Sequence, residues 1–280
     1  MKWLAILLAV GLAVWAVMAF AFPTYTHRYR LTIEVDTPQG VRSGSSVIEV
    51  ERSDQRWVLI AQGRYVFDVR GEAVFVDLGD GRNLIALMAF GPRAENVDQM
   101  ISLWVEAYGH YKWDEDAWSG RTKMQGPIEL KPPLIPTLVT FSDLSDPKTA
   151  RVVYATGPIV RDQILSNGRQ PRIVGQGVLF DELGNVFGPG YRFRRATIQM
   201  VSAGAWPLNI FGLSGEPITH AIEGRVVGLR DMKRWDEQLR RDSYDPSRLR
   251  VGSGTLKKEG WSISNDLFLA ILARLQPRVQ

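Results

Sequence analysis

The chain opens on a stretch where apolar and polar positions do not alternate at all. Trp3 to Phe22 reads WLAILLAVGLAVWAVMAFAF without a charged residue, about the 20 residues a helix needs to cross a bilayer core. In lipid the backbone polar groups must be satisfied within the segment, so the run is predicted to be a helix. Trp3 and Phe22 would then lie near the two interfaces. The alternative is a signal peptide, since Lys2 supplies a charged start and Ala19-Phe20-Ala21 has the form of a cleavage site. The run exceeds the roughly 7 to 15 apolar residues usual in such peptides, which favours an uncleaved anchor over residues 1–24. Counting only flanking charges, Arg28 and Arg30 against Lys2, leans toward a cytoplasmic C-terminal part. Both arginines, however, alternate with Tyr29 and Leu31 as the outer face of a strand would. The reading adopted is a single-pass inner-membrane protein with its soluble part in the periplasm.

From Arg28 the period changes to two. Tyr29, Leu31, Ile33 and Val35 alternate with Arg30, Thr32, Glu34 and Asp36, the pattern of a half-buried strand. Thr37-Pro38-Gln39-Gly40 supplies a turn. Val47, Ile48 and Val50 resume after a Gly-Ser-Ser break, followed by strand-like runs at Trp57 to Ala61, Tyr65 to Val69 and Ala73 to Leu78. Asp80-Gly81 is a hairpin signal. Residues 25–93 therefore read as a β-rich lobe. Residues 94–136 read as a helix and a long loop. Asn96 caps it with Gln99 three residues on, and Val97, Met100, Ile101, Trp104, Tyr108 and Tyr111 make a stripe suited to core packing. From Lys112 to Pro136 repeated Pro and Gly predict a loop long enough to be a lid, a binding loop or a linker. Strands are expected at Thr137 to Phe141, Ala150 to Ala155 and Tyr191 to Met200, in a second β-rich lobe over 137–230, with Gln163 to Gln176 polar and broken by glycine. Residues 231–280 form a basic helical region. Within Leu229 to Asp242, Leu229, Met232, Trp235 and Leu239 face one way among arginines, and Asn265 to Leu275 makes a last short helix. The fold class is mainly β, sandwich-like or built of curled sheets, with a few peripheral helices after one transmembrane helix.

Composition narrows the chemistry. The chain has 280 residues, 45% hydrophobic, and a net charge of +4, enough for a real core and a well-charged surface. With no cysteine there is no disulfide, thiolate nucleophile or Cys-ligated zinc. Gly212-Leu213-Ser214-Gly215-Glu216 fails as a nucleophile elbow, and no dinucleotide loop or Walker string occurs. His27, His110 and His220 stand far apart in sequence, and none belongs to a zincin motif. No metal or cofactor is expected. Carboxylates are the remaining catalytic candidates. Asp114, Glu115 and Asp116 lie between Trp113 and Trp118, where such a cluster can hold Ca²⁺ or, with the tryptophans, a sugar; a solvated acidic loop is the simpler reading. Asp143 and Asp146 suit turn capping before Pro147, and Glu72 looks like a turn residue. As enzyme residues, Asp143, Asp146 and Asp116 are the ones to test.

Several stretches also carry a resemblance: Tyr29 to Val35, Gly44 to Val50, Gly71 to Val74 with Asp77 to Gly79, Pro136 to Phe141 with Asp143, Asp146 and Pro147, Phe187 to Gly190, and Pro217 to Thr219. In that order they resemble a group of uncharacterised bacterial proteins with a hydrophobic N-terminus. The resemblance implies a shared fold and a bacterial envelope origin, and it carries over no site residue. The functional expectation is a membrane-anchored cell-envelope protein whose domain binds a partner without catalysis, nucleic acid not among its ligands. One alternative is an envelope glycan hydrolase with paired carboxylates. Another is a cytoplasmic-facing module holding anionic lipid or nucleic acid through Arg230 to Arg250.

Overall fold

Strand β1, Thr24–Thr37, realises the period-two pattern, with Tyr29, Leu31, Ile33 and Val35 buried on one face. The two-residue turn at Pro38 and Gln39 returns the chain as β2, Gly40–Asp54, in antiparallel register with β1 along its whole length. The computed structural model describes residues 23–55, 64–92, 94, 96, 98–144, 149–165, 168–205, 208–209 and 213–219, together with Trp3 and Gly11. The remainder of Trp3 to Phe22, the strand expected at Trp57 to Ala61, Val97, Asp146, His220 and the basic C-terminal helices lie outside the described residues. No helix among the described residues is long and apolar enough to cross a membrane.

After β2 come β3, Tyr65–Arg70, β4, Val74–Gly79, and β5, Arg82–Ala86. Helix α1, Gln99–Ala107, the short α2, Glu115–Trp118, and β6, Ile128–Glu129, follow. Strands β7, Leu138–Phe141, β8, Ala150–Leu165, and β9, Gly168–Asp181, precede α3, Leu183–Phe187, and β10, Arg192–Val201. One antiparallel sheet has the order β3-β2-β1-β10-β6 and the other β4-β5-β7-β8-β9. Each sheet takes strands from both 25–93 and 137–230. Residues of both sheets, from Leu31 and Ile48 to Val76, Leu84 and Leu138, share one core, where each large aliphatic side chain contributes about 1.5–3 kcal/mol.

Several expectations change. The Gly-Ser-Ser stretch is no break, because β2 runs straight through it. Gly44 is needed there because a Cβ would stand 2.0 Å from the Phe75 carbonyl oxygen of β4, so the glycine lets the two sheets approach. Asn96 does not cap α1. It forms an isolated bridge with Phe90, and the helix begins after Asp98. Leu103 and Val105 are buried with Met100 and Trp104, whereas Tyr111 lies past the helix end and is exposed. The long loop is not free of structure, since α2 packs into the core through Ala117 and Trp118 and β6 pairs with β10. Gln163 to Gln176 is mostly strand, the far part of the β8–β9 hairpin. Glu72 is fully buried where the chain passes from β3 in one sheet to β4 in the other. The pivot is Gly71 at φ 135, where a Cβ would crowd the Ile48 backbone at 3.1 Å. The Asp-Gly signal holds: Asp80 and Gly81 take φ of 54 and 73 in the β4–β5 turn, as a type I′ hairpin requires.

Candidate functional site

At the end of the sheet where β1 begins, the inward residues stop being aliphatic. The cross-strand row Tyr25, Arg52 and Phe67 follows the row His27, Val50 and Val69, as the registers of β1, β2 and β3 dictate. Trp104 of α1 and Trp118 of α2 close this end. His27 stacks on the Trp104 ring at 4.2 Å and meets the Trp118 ring edge-on at 5.8 Å. Arg52 is 1% exposed, its guanidinium over the rings of Tyr25, Tyr65 and Trp118 at 5.2, 4.6 and 4.9 Å. A charge so enclosed needs a partner, and Nη2 donates to Glu115 Oε2 at 2.8 Å. The Arg52 Nε makes no hydrogen bond among the described residues.

Titration follows from these contacts. Burial pushes the His27 imidazole below its ordinary value, with the Arg52 charge in the same direction and the hydrogen bond to the Trp118 carbonyl, 2.8 Å, opposing. Partial burial raises the Glu115 carboxyl, but hydrogen bonds from Tyr65 and Arg52 and the charges of Arg52 and Arg64 outweigh it and leave it lowered. Burial also pushes the Tyr29 hydroxyl up, and that hydroxyl donates to the Met100 carbonyl at 3.2 Å.

The acidic triplet is thereby divided. Asp114 caps α2, Oδ1 accepting from the Asp116 and Ala117 amides at 2.9 and 3.3 Å, while Oδ2 stands 3.2 Å from His110 Nδ1. Glu115 holds Arg52. Asp116 pairs with Arg121 at 2.6 Å on the surface. Trp118, one of the two flanking tryptophans, is buried, so the sugar platform, the alternative there to a solvated acidic loop, is not assembled. Among the described residues no three His, Asp or Glu side chains gather as metal ligands. Asp143 is an exposed turn residue whose amide and carbonyl bond the Thr149 hydroxyl at 3.1 and 2.8 Å. Sequence reasoning missed Arg52 altogether, because a lone arginine between Glu51 and Ser53 reads as surface. The signal was present in its register, two positions along from Val50 on the inward face.

A second feature is a surface. Strand β7 pairs with β8 only as far as Tyr154, while β8 and β9 continue together from Thr156 opposite Val178 to Leu165 opposite Gly168. Beyond the sheet they form a two-stranded ribbon. Val160 and Ile173, directly opposed, are 52% and 61% exposed, and Val178 on the same face is exposed too. Gly157 and Gly177 face each other on the opposite side, covered by the Leu179 and Ile159 side chains.

The chain matches no protein-family model, no curated protein and no solved structure.

Proposed function

We propose that this is a membrane-anchored cell-envelope protein of the inner membrane, tethered by Trp3 to Phe22, whose periplasmic β domain works by contact with an envelope protein and not by catalysis. The observation that carries the contact reading is the β8–β9 ribbon. An apolar cross-strand pair, Val160 and Ile173, stays more than half exposed among the described residues, and exposed apolar patches mark interaction sites. The commitment of Asp114, Glu115 and Asp116 to a helix cap, to Arg52 and to Arg121 supports the same reading over the glycan hydrolase. The uncharged length of Trp3 to Phe22 supports the tether.

The test is photo-crosslinking in living cells from a benzophenone side chain placed at Val160, with and without Ile173→Glu. A discrete protein adduct that Ile173→Glu abolishes at unchanged protein level is the expected result. Adduct formation indifferent to that substitution, or turnover of an envelope glycan by the purified protein, would overturn the reading.

A further inference from the structure

The end of the sheet that carries Arg52 is also the end from which the proposed anchor leaves. Only Pro23 separates Phe22 from β1. The exit is held in place, since the Pro23 carbonyl accepts the Asp54 amide at 3.0 Å. Two residues of extended chain reach about 7 Å at most, while headgroups add only about 5–8 Å to each side of the hydrocarbon core. A helix ending at Phe22 therefore brings this end of the domain to the headgroup layer.

That end presents the side chains such a layer accepts. From Tyr25 an unbroken run of contacts passes through Arg52 to Trp118, on to Phe67 at 5.5 Å, and from Phe67 to Trp113 at 5.5 Å. Trp113 is 39% exposed and Tyr111 is 69% exposed. Between them Lys112 is exposed, its ammonium 5.3 Å above the Trp113 ring. These residues are displayed on a fixed base: the Trp118 indole donates to the Lys112 carbonyl at 2.8 Å, and the Asp114 amide to the Tyr111 carbonyl at 2.8 Å. Among the described residues Phe67 and Lys112 pack on the Trp113 ring yet leave it in contact with water, and Tyr111 stays mostly exposed, although Trp104 and Trp118, a few residues away, are buried completely. Aromatic rings with a polar edge and a snorkelling lysine are the residues that settle at a membrane–water interface.

We infer that the Tyr111-Lys112-Trp113 turn docks on the bilayer surface beside the anchor and fixes the orientation of the domain on the membrane. The inference rests on the tether reading above. It assigns to the turn a role as a second membrane contact, with lipid headgroups and the upper acyl region as its ligand.

The absence of cysteine permits a direct test in the full-length chain. Tyr111→Cys and, as a control at the far end of the sheet, Gln39→Cys are each labelled with an environment-sensitive fluorophore. Both proteins are reconstituted into phosphatidylcholine–phosphatidylglycerol vesicles with and without a headgroup-nitroxide lipid. The expected result is blue-shifted emission at position 111 that loses most of its intensity to the nitroxide, with position 39 unaffected. A chain that floats with the vesicles but shows no quenching at 111, or equal quenching at both positions, overturns the docking inference and leaves the tether standing. A chain that fails to float overturns the tether and the docking with it.

Discussion

The Arg52 guanidinium and the Glu115 carboxylate lose different things when they are separated. Glu115 is 53% exposed on its side chain, against 1% for Arg52. Glu115→Ala strands a positive charge among aromatic rings, an arrangement that costs about 2–4 kcal/mol. Arg52→Met leaves behind a carboxylate that water and Tyr65 still reach, at about 1–2 kcal/mol. Urea unfolding of the two variants should give that order, and the reverse order would show that Arg52 is not held by this pair. His27 makes a prediction in pH. Its folded pKa is lowered, chiefly by burial, so on acidification the unfolded chain takes up the proton first. The stability His27 contributes is complete above its unfolded pKa of about 6.5 and is lost as pH falls from there toward the folded value. Glu51, raised by burial, acts in the opposite sense as pH rises from its ordinary value, so the His27 part is best isolated by difference. Urea midpoints of the wild type should fall more steeply below pH 6.5 than those of His27→Gln; parallel profiles would place the imidazole in water.

Among the elements, glycines mark where sheets and strands approach. Gly44→Ala places a methyl against the Phe75 backbone and should cost about 3 kcal/mol or more, since neither strand can give way. Gly175→Ala in the ribbon meets nothing within 4 Å and should change stability by less than about 1 kcal/mol. Thermal unfolding of the pair decides whether the contact between the sheets is as close as described. The elements legible in the sequence are those with one wet and one dry face. Strands β1, β4, β7 and β10 showed their alternation or their apolar run, and the turns at Pro38 and Asp80 announced themselves by residue type. The ribbon was illegible because its described residues from Arg172 to Gln176 are exposed in succession, so no period is imposed there, and its glycines read as breaks. Helix α2 was hidden for another reason. Four residues show no period, and Trp118 is buried by tertiary contacts that local sequence does not encode. Asn96 had the chemistry of a cap, but its pairing with Phe90 uses the backbone that a cap would need.

At the scale of the whole molecule the two sheets share one core while the ribbon stands apart from it, and local stability should follow. Two strands without a covered face are marginal on their own. Amides of residues 157–165 and 168–178 should exchange with solvent markedly faster than those of β1, as read by hydrogen–deuterium exchange with mass spectrometry; equal protection would mean the ribbon is packed against something in the free protein. A last consequence concerns mechanics. Strand β1 follows directly from the N-terminal run and lies in the middle of its sheet, joined by fourteen residue pairs to β2 and by nine to β10. A pull applied through Pro23 and resisted at the Gly40 end of β2 and the Arg192 end of β10 loads both ladders in shear, so many hydrogen bonds must break together. One resisted through the chain after Val201, which leaves beside Arg28, instead unzips the β1–β10 ladder pair by pair. Tension arriving at Pro23 thus meets a strong or a weak direction of this sheet according to where its far side is held, and the β8–β9 ribbon, in the other sheet, belongs to neither ladder.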